Sequence, residues 1–198
     1  MKKLGLIGGI SWISTADYYS YINKIVSTKL GGLNNAPCII HSFNMSDIEK
    51  LMKAGEYNKV LEGFSDAAIK MKQAGAEGLV ICANTMHMFA DELEKRSGLP
   101  VIHLVTATAR AIRKQNLDTI GLLGTLPTMN LDFYRDKLSQ LGIKTLVPGE
   151  EDKQFVHDSI FSELSRGIFT DEMRARYFSI MEKLKTRGAQ GIVLGCTD

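Results

Sequence analysis

Short, continuous apolar runs alternate along the chain with longer stretches whose apolar residues recur at helical spacing. The runs are rich in Ile, Leu and Val, which is typical of parallel strands covered on both faces. They predict strands at 3–7, 38–43, 78–82, 101–104, 119–123, 144–147 and 191–194. The stretches between them predict helices at 16–29, 57–74, 86–96, 107–114, 129–141, 151–165 and 170–187. This alternation predicts an α/β fold with parallel sheet.

The same pattern occurs twice in the chain. Segment 70–85, KMKQAGAEGLVICANT, matches segment 183–198, KLKTRGAQGIVLGCTD, at an offset of 113 positions. The tetrapeptide GLIG at 5–8 matches GLLG at 121–124 at an offset of 116, and DYY at 17–19 matches DFY at 132–134 at an offset of 115. Three matches in one order predict two similar α/β domains, 1–104 and 105–198. We expect them to be related by pseudo-twofold symmetry, with a ligand cleft between them.

Composition and charge exclude several classes of protein. A chain of 198 residues that is 44% hydrophobic is long enough to bury a core. The net charge of +2, without any block of Lys and Arg, predicts no nucleic-acid partner. No apolar run approaches the roughly 18–20 residues of a membrane span. Three widely spaced cysteines form neither a disulfide framework nor a zinc motif, so we expect a cytoplasmic protein.

Small, polar and thiol residues follow the predicted strands, where parallel sheets bind their ligands. These loops lie at 8–12 and 82–87 in the first half and at 124–128 and 195–198 in the second. Glycine lets a ligand approach the backbone, and Ser, Thr and Asn cap the helix that follows. Amide groups at a helix start favour an anion. Neither glycine loop carries G-x-G-x-x-G or a Walker lysine, so no nucleotide site is predicted.

Cys196 is the strongest candidate for chemistry. It ends an apolar strand, after Gly195 and before Thr197 and Asp198. A thiol at the start of a helix ionises more readily than a free thiol and becomes an acid/base group or a nucleophile. The alternative is a buried structural cysteine, the usual state of a free cysteine. The glycine and the polar residues around Cys196 favour the functional role.

These segments resemble the cofactor-independent aspartate/glutamate racemase family. The matching pieces are GGISWIST at 8–15 with YY at 18–19, NTMH at 84–87 and GCTD at 195–198, and they span nearly the whole chain. The resemblance implies two Rossmann-like domains with the active site between them, a homodimer, and no pyridoxal phosphate or metal. It also implies one cysteine per domain beside the substrate α-carbon, one thiolate removing the α-proton and the other thiol returning a proton.

Inversion of a stereocentre needs an acid and a base on opposite faces of the carbon. The charge that develops on the substrate carboxylate also needs preorganised donors. The predicted substrate-binding residues are Ser11, Asn84, Thr85, Thr125, Thr197 and Asp198. Arg166 is the candidate clamp for the side-chain carboxylate that the family implies, with an ordinary solvated charge as an equal alternative. The sequence does not choose between aspartate and glutamate.

The first half departs from the family pattern. Ala83 stands where the family's first cysteine precedes Asn-Thr, and Ala83 is also the repeat partner of Cys196. Cys82 lies one residue earlier, and a shift of one residue along a strand turns the side chain to the other face. Three functions therefore stay open. The first is a racemase in which Cys82, a water or a hydroxyl replaces the missing cysteine. The second is a one-cysteine α-carbon enzyme of the decarboxylase type, and the third is a binding protein for small acids without turnover.

Two further expectations concern the ends of the motifs. His87 follows Asn84-Thr85 in the first turn of the next helix, where we expect a capping or packing role. The other histidines share no spacing with it, so no metal site is predicted. In the first half the motif continues into a helix. We therefore expect a helix after Asp198 whose dipole would acidify Cys196. The resemblance to the racemase family also implies a C-terminal segment that returns to the first domain.

Overall fold

The computed structural model describes residues 1–196. The chain divides into two units, Met1–His103 and Leu104–Asp198, and each builds its own parallel sheet. Thr197 and Asp198, two of the predicted site residues, lie outside the described residues.

The first unit contains a three-stranded parallel sheet in the order β2-β1-β3. Its strands are β1 (Leu4–Gly8), β2 (Cys38–Ser42) and β3 (Gly78–Ile81). Its α-helices are α1 (Trp12–Leu30), α2 (Met45–Lys53), α3 (Tyr57–Gln73) and α4 (Ala90–Ser97), and a 3-10 helix, Thr85–Phe89, precedes α4.

Alternate residues of this sheet face opposite layers of helix, as the period of a strand requires. Leu6 and Val80 pack with Tyr18 of α1 on one face. Ile7 and Ile81 join the larger cluster that α3 and α4 build on the other face. Both faces are therefore covered, which explains why the strand sequences are continuously apolar.

The second unit contains a three-stranded parallel sheet in the order β5-β4-β6. Its strands are β4 (Thr119–Leu123), β5 (Lys144–Leu146) and β6 (Gly191–Leu194). Its α-helices are α5 (Leu104–Lys114), α6 (Leu126–Asn130), α7 (Asp132–Gln140), α8 (Glu150–Ser162) and α9 (Asp171–Thr186), with a 3-10 helix, Leu164–Arg166, after α8. One core cluster joins α5 and α7 to β4, and a second joins α8 and α9 to the other face.

The strand registers show that the two units repeat one topology. Leu4 of β1 pairs with Gly78 of β3, and Ile120 of β4 pairs with Gly191 of β6. These pairs are related by the same offsets, 116 and 113, that the sequence repeat shows. Gly5 of β1 and Gly121 of β4 each let a helix approach closely. An added Cβ would lie 3.0 Å from the sulfur of Met71 at Gly5 and 2.9 Å from a methyl carbon of Leu184 at Gly121.

The predicted strand at 101–104 is wrong. Val101 forms a single bridge to Leu79, and α5 begins at Leu104. The amide of Ile102 donates to the carbonyl of Leu79 at 2.8 Å, and then the chain turns into the helix. The apolar residues from Val105 onward recur at 105, 109 and 112, which is helical spacing, and they form the buried face of α5.

Two helical predictions also need correction. Helix α2 was not predicted from the sequence. Its apolar residues at 45, 48, 51 and 52 face the core. The single helix predicted at 129–141 is two helices, because Leu131 is extended with ψ of 147°. Among the described residues, no helix has the length and apolar content of a membrane span.

Candidate active site

The loop after β1 is fixed by hydrogen bonds to the first turn of α1. Ser11 is the N-cap of α1, and its Oγ accepts from the amide of Ser14 at 3.2 Å. The hydroxyl of Thr15 donates to the carbonyl of Ser11 at 2.7 Å and accepts from the amide of Gly9 at 2.9 Å. These bonds close the loop on itself and leave Ser11 half-buried at the end of the strand.

The loop after β3 is tied to the same helix start. The hydroxyl of Ser14 donates to the carbonyl of Cys82 at 2.8 Å, and the amide of Cys82 donates to the carbonyl of Ile7 at 2.9 Å. The structure thereby brings the predicted site residues of the first unit to one edge of its sheet. Asn84 is buried there, and Thr85 is half-buried.

Cys82 and Ala83 lie on opposite faces of the sheet. Cys82 is completely buried and packs with Leu6 and Val80 in the cluster under α1. Ala83 belongs to the cluster that includes α3 and α4. Burial raises the pKa of the Cys82 thiol to about 12, with a smaller contribution from Cys38, so the thiol stays protonated at neutral pH. Cys82 therefore has the properties of a core residue in this structure.

His87 anchors the loop that carries Ala83. Its Nδ1 lies 3.0 Å from the carbonyl oxygen of Ala83, and because a carbonyl only accepts, Nδ1 carries the proton. The ring is buried and lies 5.1 Å from the ring of His103, measured between centroids. Burial, with a smaller contribution from the nearby His103, lowers the pKa of His87 to about 4 against the opposing effect of backbone hydrogen bonds. The imidazole is neutral at pH 7 and has a packing and loop-holding role.

The low pKa of His87 predicts a loss of stability in mild acid. A histidine in the unfolded chain has a pKa near 6.5, whereas His87 in the folded chain has a pKa of about 4. Between these pH values the unfolded chain therefore binds a proton that the folded chain does not. Linkage then predicts that the free energy of unfolding falls by about 2 kcal/mol between pH 7 and pH 5. Urea unfolding at several pH values measures this slope. His87→Gln should remove most of the slope, whereas His41→Gln should retain it; an equal slope in both variants would assign it to other groups.

The second unit brings a thiol to the corresponding edge of its sheet. The loop after β4 holds Gly124 and Thr125, and the loop after β6 holds Gly195 and Cys196. The amide of Gly195 donates to the carbonyl of Leu123, and a Cβ at Gly124 would lie 3.1 Å from the carbonyl oxygen of Gly195. The two loops are therefore in close contact. Cys196 is half-buried at the end of β6.

A cavity of about 270 Å³ opens beside Cys196 within the second unit. Its floor is apolar and is formed mainly by α8, α9 and the segment between them, including Phe169, Met173 and Tyr177. Gly124, Gly195 and Arg174 also line the cavity. The cavity gives the Cys196 thiol an enclosed environment on one side.

The remaining predicted residues lie apart from this cavity. Thr125 is buried and its hydroxyl lies 3.1 Å from that of Thr128, beside the loop that carries Cys196. Arg166 is exposed in the 3-10 helix after α8 and does not line the cavity, whereas Arg174 does. Within residues 1–196, no three His, Cys, Asp or Glu side chains are grouped closely enough to hold a metal ion.

Three residues at or beside the cavity were not predicted from the sequence: Tyr177, Ser159 and Arg174. Tyr177 and Arg174 line the cavity from α9, and the Tyr177 hydroxyl lies 2.9 Å from the Ser159 hydroxyl of α8. Apolar spacing along α9 makes Tyr177 look like an ordinary core residue. The repeat could have indicated Tyr177. The offset of 113 that pairs Cys196 with Ala83 also pairs Tyr177 with Phe64, so the hydroxyl group is present only in the half that contains Cys196.

The chain has two repeated α/β units with polar loops at their strand ends. Comparison with known proteins shows that this is the class of two-domain racemase folds. A Yersinia pestis protein assigned as an Asp/Glu racemase superposes with a TM-score of 0.93 at 45% identity, covering 100% of this chain and 86% of that one. The aspartate racemase homologue PH1733 of Pyrococcus horikoshii superposes with a TM-score of 0.83 at 30% identity, with the same coverages.

The sequence comparisons agree with the structural ones. The profile of the Asp/Glu/Hydantoin racemase family matches residues 7–198, so the chain belongs to that family. The broad specificity amino-acid racemase RacX of Bacillus subtilis is 21% identical over 199 residues, which cover 98% of this chain and 85% of RacX. The family resemblance expected from the strand-end motifs is thus confirmed, as is the α/β fold.

Proposed function

We propose that this chain is a cofactor-independent racemase of aspartate or glutamate in which Cys196 transfers the α-proton. The observation that carries the proposal is the half-buried thiol at the end of β6, beside two glycines whose backbone a substrate can approach. Membership of a racemase family and the names of the relatives support the reaction class. The Cys196 thiolate takes the α-proton and becomes a thiol, while the electron pair passes into the substrate carboxylate as an enolate.

The substrate fits the strand-end loops better than the body of the cavity. The floor of the cavity is apolar, with Phe169 and Met173 among its residues, and offers little to a small acid. Cys196 and the polar groups lie where the cavity meets the loops. We therefore place the α-carbon at Cys196 and propose Arg174, together with Arg166, as candidates for the carboxylate clamp.

The return of the proton distinguishes two candidate reactions. Ala83 has no proton to give, and Cys82 is buried under α1. In a racemase, a water or a nearby hydroxyl group then protonates the enolate on the other face. The hydroxide or alkoxide that remains then takes a proton from solvent, and the Cys196 thiol loses its proton to solvent, which restores the starting state. The same observations favour a second candidate, a one-cysteine α-carbon enzyme in which proton transfer occurs on one face alone.

Deuterium exchange at the α-carbon tests the proposal. The protein is incubated in D₂O with L- and D-aspartate, L- and D-glutamate and, as the neutral comparison, L-alanine. Proton NMR follows loss of the α-proton signal, and chiral chromatography follows inversion. We expect deuterium to enter both acidic amino acids or one of them, with inversion of configuration, and much less exchange of alanine.

Each outcome selects one function. Exchange with retention supports the one-cysteine enzyme and overturns racemisation. The absence of exchange on all substrates overturns both and leaves a binding protein, which calorimetric titration with the same amino acids would detect. Equal exchange of alanine would overturn the acidic substrate class while keeping the chemistry.

A further inference from the structure

A pair of hydroxyl groups lies next to the candidate catalytic thiol. The Tyr177 hydroxyl of α9 and the Ser159 hydroxyl of α8 are 2.9 Å apart, and Ser159 also donates to the carbonyl of Val156 at 2.9 Å. Tyr177 and Cys196 line the same cavity and pack against the same core cluster. The phenol therefore shares the partly enclosed space of the thiol.

The repeat supplies an internal comparison for this pair. At the offset of 113 positions, Cys196 corresponds to Ala83 and Tyr177 corresponds to Phe64. Phe64 is fully buried and belongs with Ala83 to one core cluster of the first unit. The second unit therefore has a tyrosine together with Cys196 at its strand end. The first unit has a phenylalanine together with Ala83 at the corresponding strand end. Packing alone does not require the hydroxyl, because Phe64 fills the equivalent place.

The surroundings of Tyr177 keep its hydroxyl group protonated. Burial raises the pKa of the Tyr177 hydroxyl, the hydrogen bond with Ser159 opposes this, and the charges of Cys196 and Glu163 raise the pKa further. The phenol consequently keeps its proton over the range in which a thiol titrates, and remains a donor. Among the residues that the structure describes, Arg174 of α9 is the charged residue that lines the cavity.

We propose that Tyr177 is a positioning residue for Cys196, donating a hydrogen bond that stabilises the thiolate. When the thiol ionises, the Ser159 hydroxyl turns from the Val156 carbonyl to donate to Tyr177, and the Tyr177 hydroxyl donates to the sulfur. The S–H bond breaks and its proton passes to water, whereas the protons of the two hydroxyl groups stay on their own oxygens. The role in catalysis rests on the proposed function, whereas the effect on the thiol does not.

Alkylation of Cys196 tests the proposal in the full-length protein. The rate of reaction with iodoacetamide is measured against pH, and mass spectrometry of the Cys196 peptide separates this thiol from Cys38 and Cys82. Removing one hydrogen bond to a charged group with Tyr177→Phe should move the midpoint up by about one pH unit. Below the midpoint, alkylation should become about tenfold slower.

A matched variant separates this effect from loss of packing. Tyr134 is a buried tyrosine of α7 that does not line the cavity, so Tyr134→Phe should leave the midpoint of Cys196 unchanged. Ser159→Ala should move it in the same direction as Tyr177→Phe, by a smaller amount, and replaces that variant if it fails to fold. An unchanged midpoint in the folded Tyr177→Phe protein overturns the proposal, as does an equal shift in Tyr134→Phe.

The two proposals fail in different ways. Alkylation is measured without substrate, so the Tyr177 effect can be present in a protein that exchanges no α-proton. If exchange does occur, the acid limb of kcat/KM should move in Tyr177→Phe by the same amount as the alkylation midpoint. An alkylation shift without exchange overturns the proposed function alone.

Discussion

Cys196→Ala is expected to reduce α-proton exchange on aspartate and glutamate by about a thousandfold or more, to the background level. A positioned acid/base group commonly accounts for a factor of about 10² to 10⁴. The thiol of Cys82 is fully buried in the core under α1. Deuterium incorporation from D₂O, measured by proton NMR on both enantiomers, gives the comparison directly.

Cys82→Ala is the matched control for this loss. Because the side chain of Cys82 packs with Leu6 and Val80 and not with Ala83, its removal should lower stability slightly and leave exchange nearly unchanged. Losses of equal size in the two variants would show that Cys82 takes part in the reaction. Undiminished exchange in Cys196→Ala would remove Cys196 from the mechanism altogether.

The repeat made much of the fold predictable from the sequence. Continuous apolar runs indicated parallel strands, and the two offsets, 116 and 113, reappear in the pairing of β1 with β3 and of β4 with β6. The mistakes came from short segments. Val101, Ile102 and Leu104 fit a strand by composition, but Leu104 is already the first residue of α5.

The positions of the strand-end loops were also predictable from the sequence, because the carboxyl ends of parallel strands meet at one edge of the sheet. Ser11 and Asn84 lie at that edge in the first unit, and Thr125 and Cys196 lie at it in the second. The hydroxyls of Tyr177 and Ser159 were not predicted, because they come from helix faces that spacing alone assigns to the core. Their proximity depends on how α8 packs against α9, which periodicity within either helix does not specify.

Gly9→Ala is expected to destabilise the first unit by about 4 kcal/mol. Gly9 has φ of +82°, a conformation that costs an L-residue about 1–2 kcal/mol. The added Cβ would also lie 2.1 Å from the carbonyl oxygen and 2.4 Å from the amide nitrogen of Phe43, which are backbone atoms at the end of β2. Relief of that overlap requires the loop to move from β2 or from Thr15, whose hydroxyl holds the Gly9 amide, and overpacking of this kind costs about 1–3 kcal/mol.

Gly55→Ala separates the two contributions to this loss, because Gly55 lies in the same unit and has φ of +72° but nothing within 4 Å of its added Cβ. It should cost only the backbone strain, about 1 kcal/mol, in urea unfolding followed by circular dichroism. The difference between the two variants measures the close approach of the Gly9 loop to β2, which holds the N-cap Ser11 at the strand end. Equal losses in Gly9→Ala and Gly55→Ala would mean that the loop relaxes freely, and the rigid placement of Ser11 at this edge of the sheet would then be wrong.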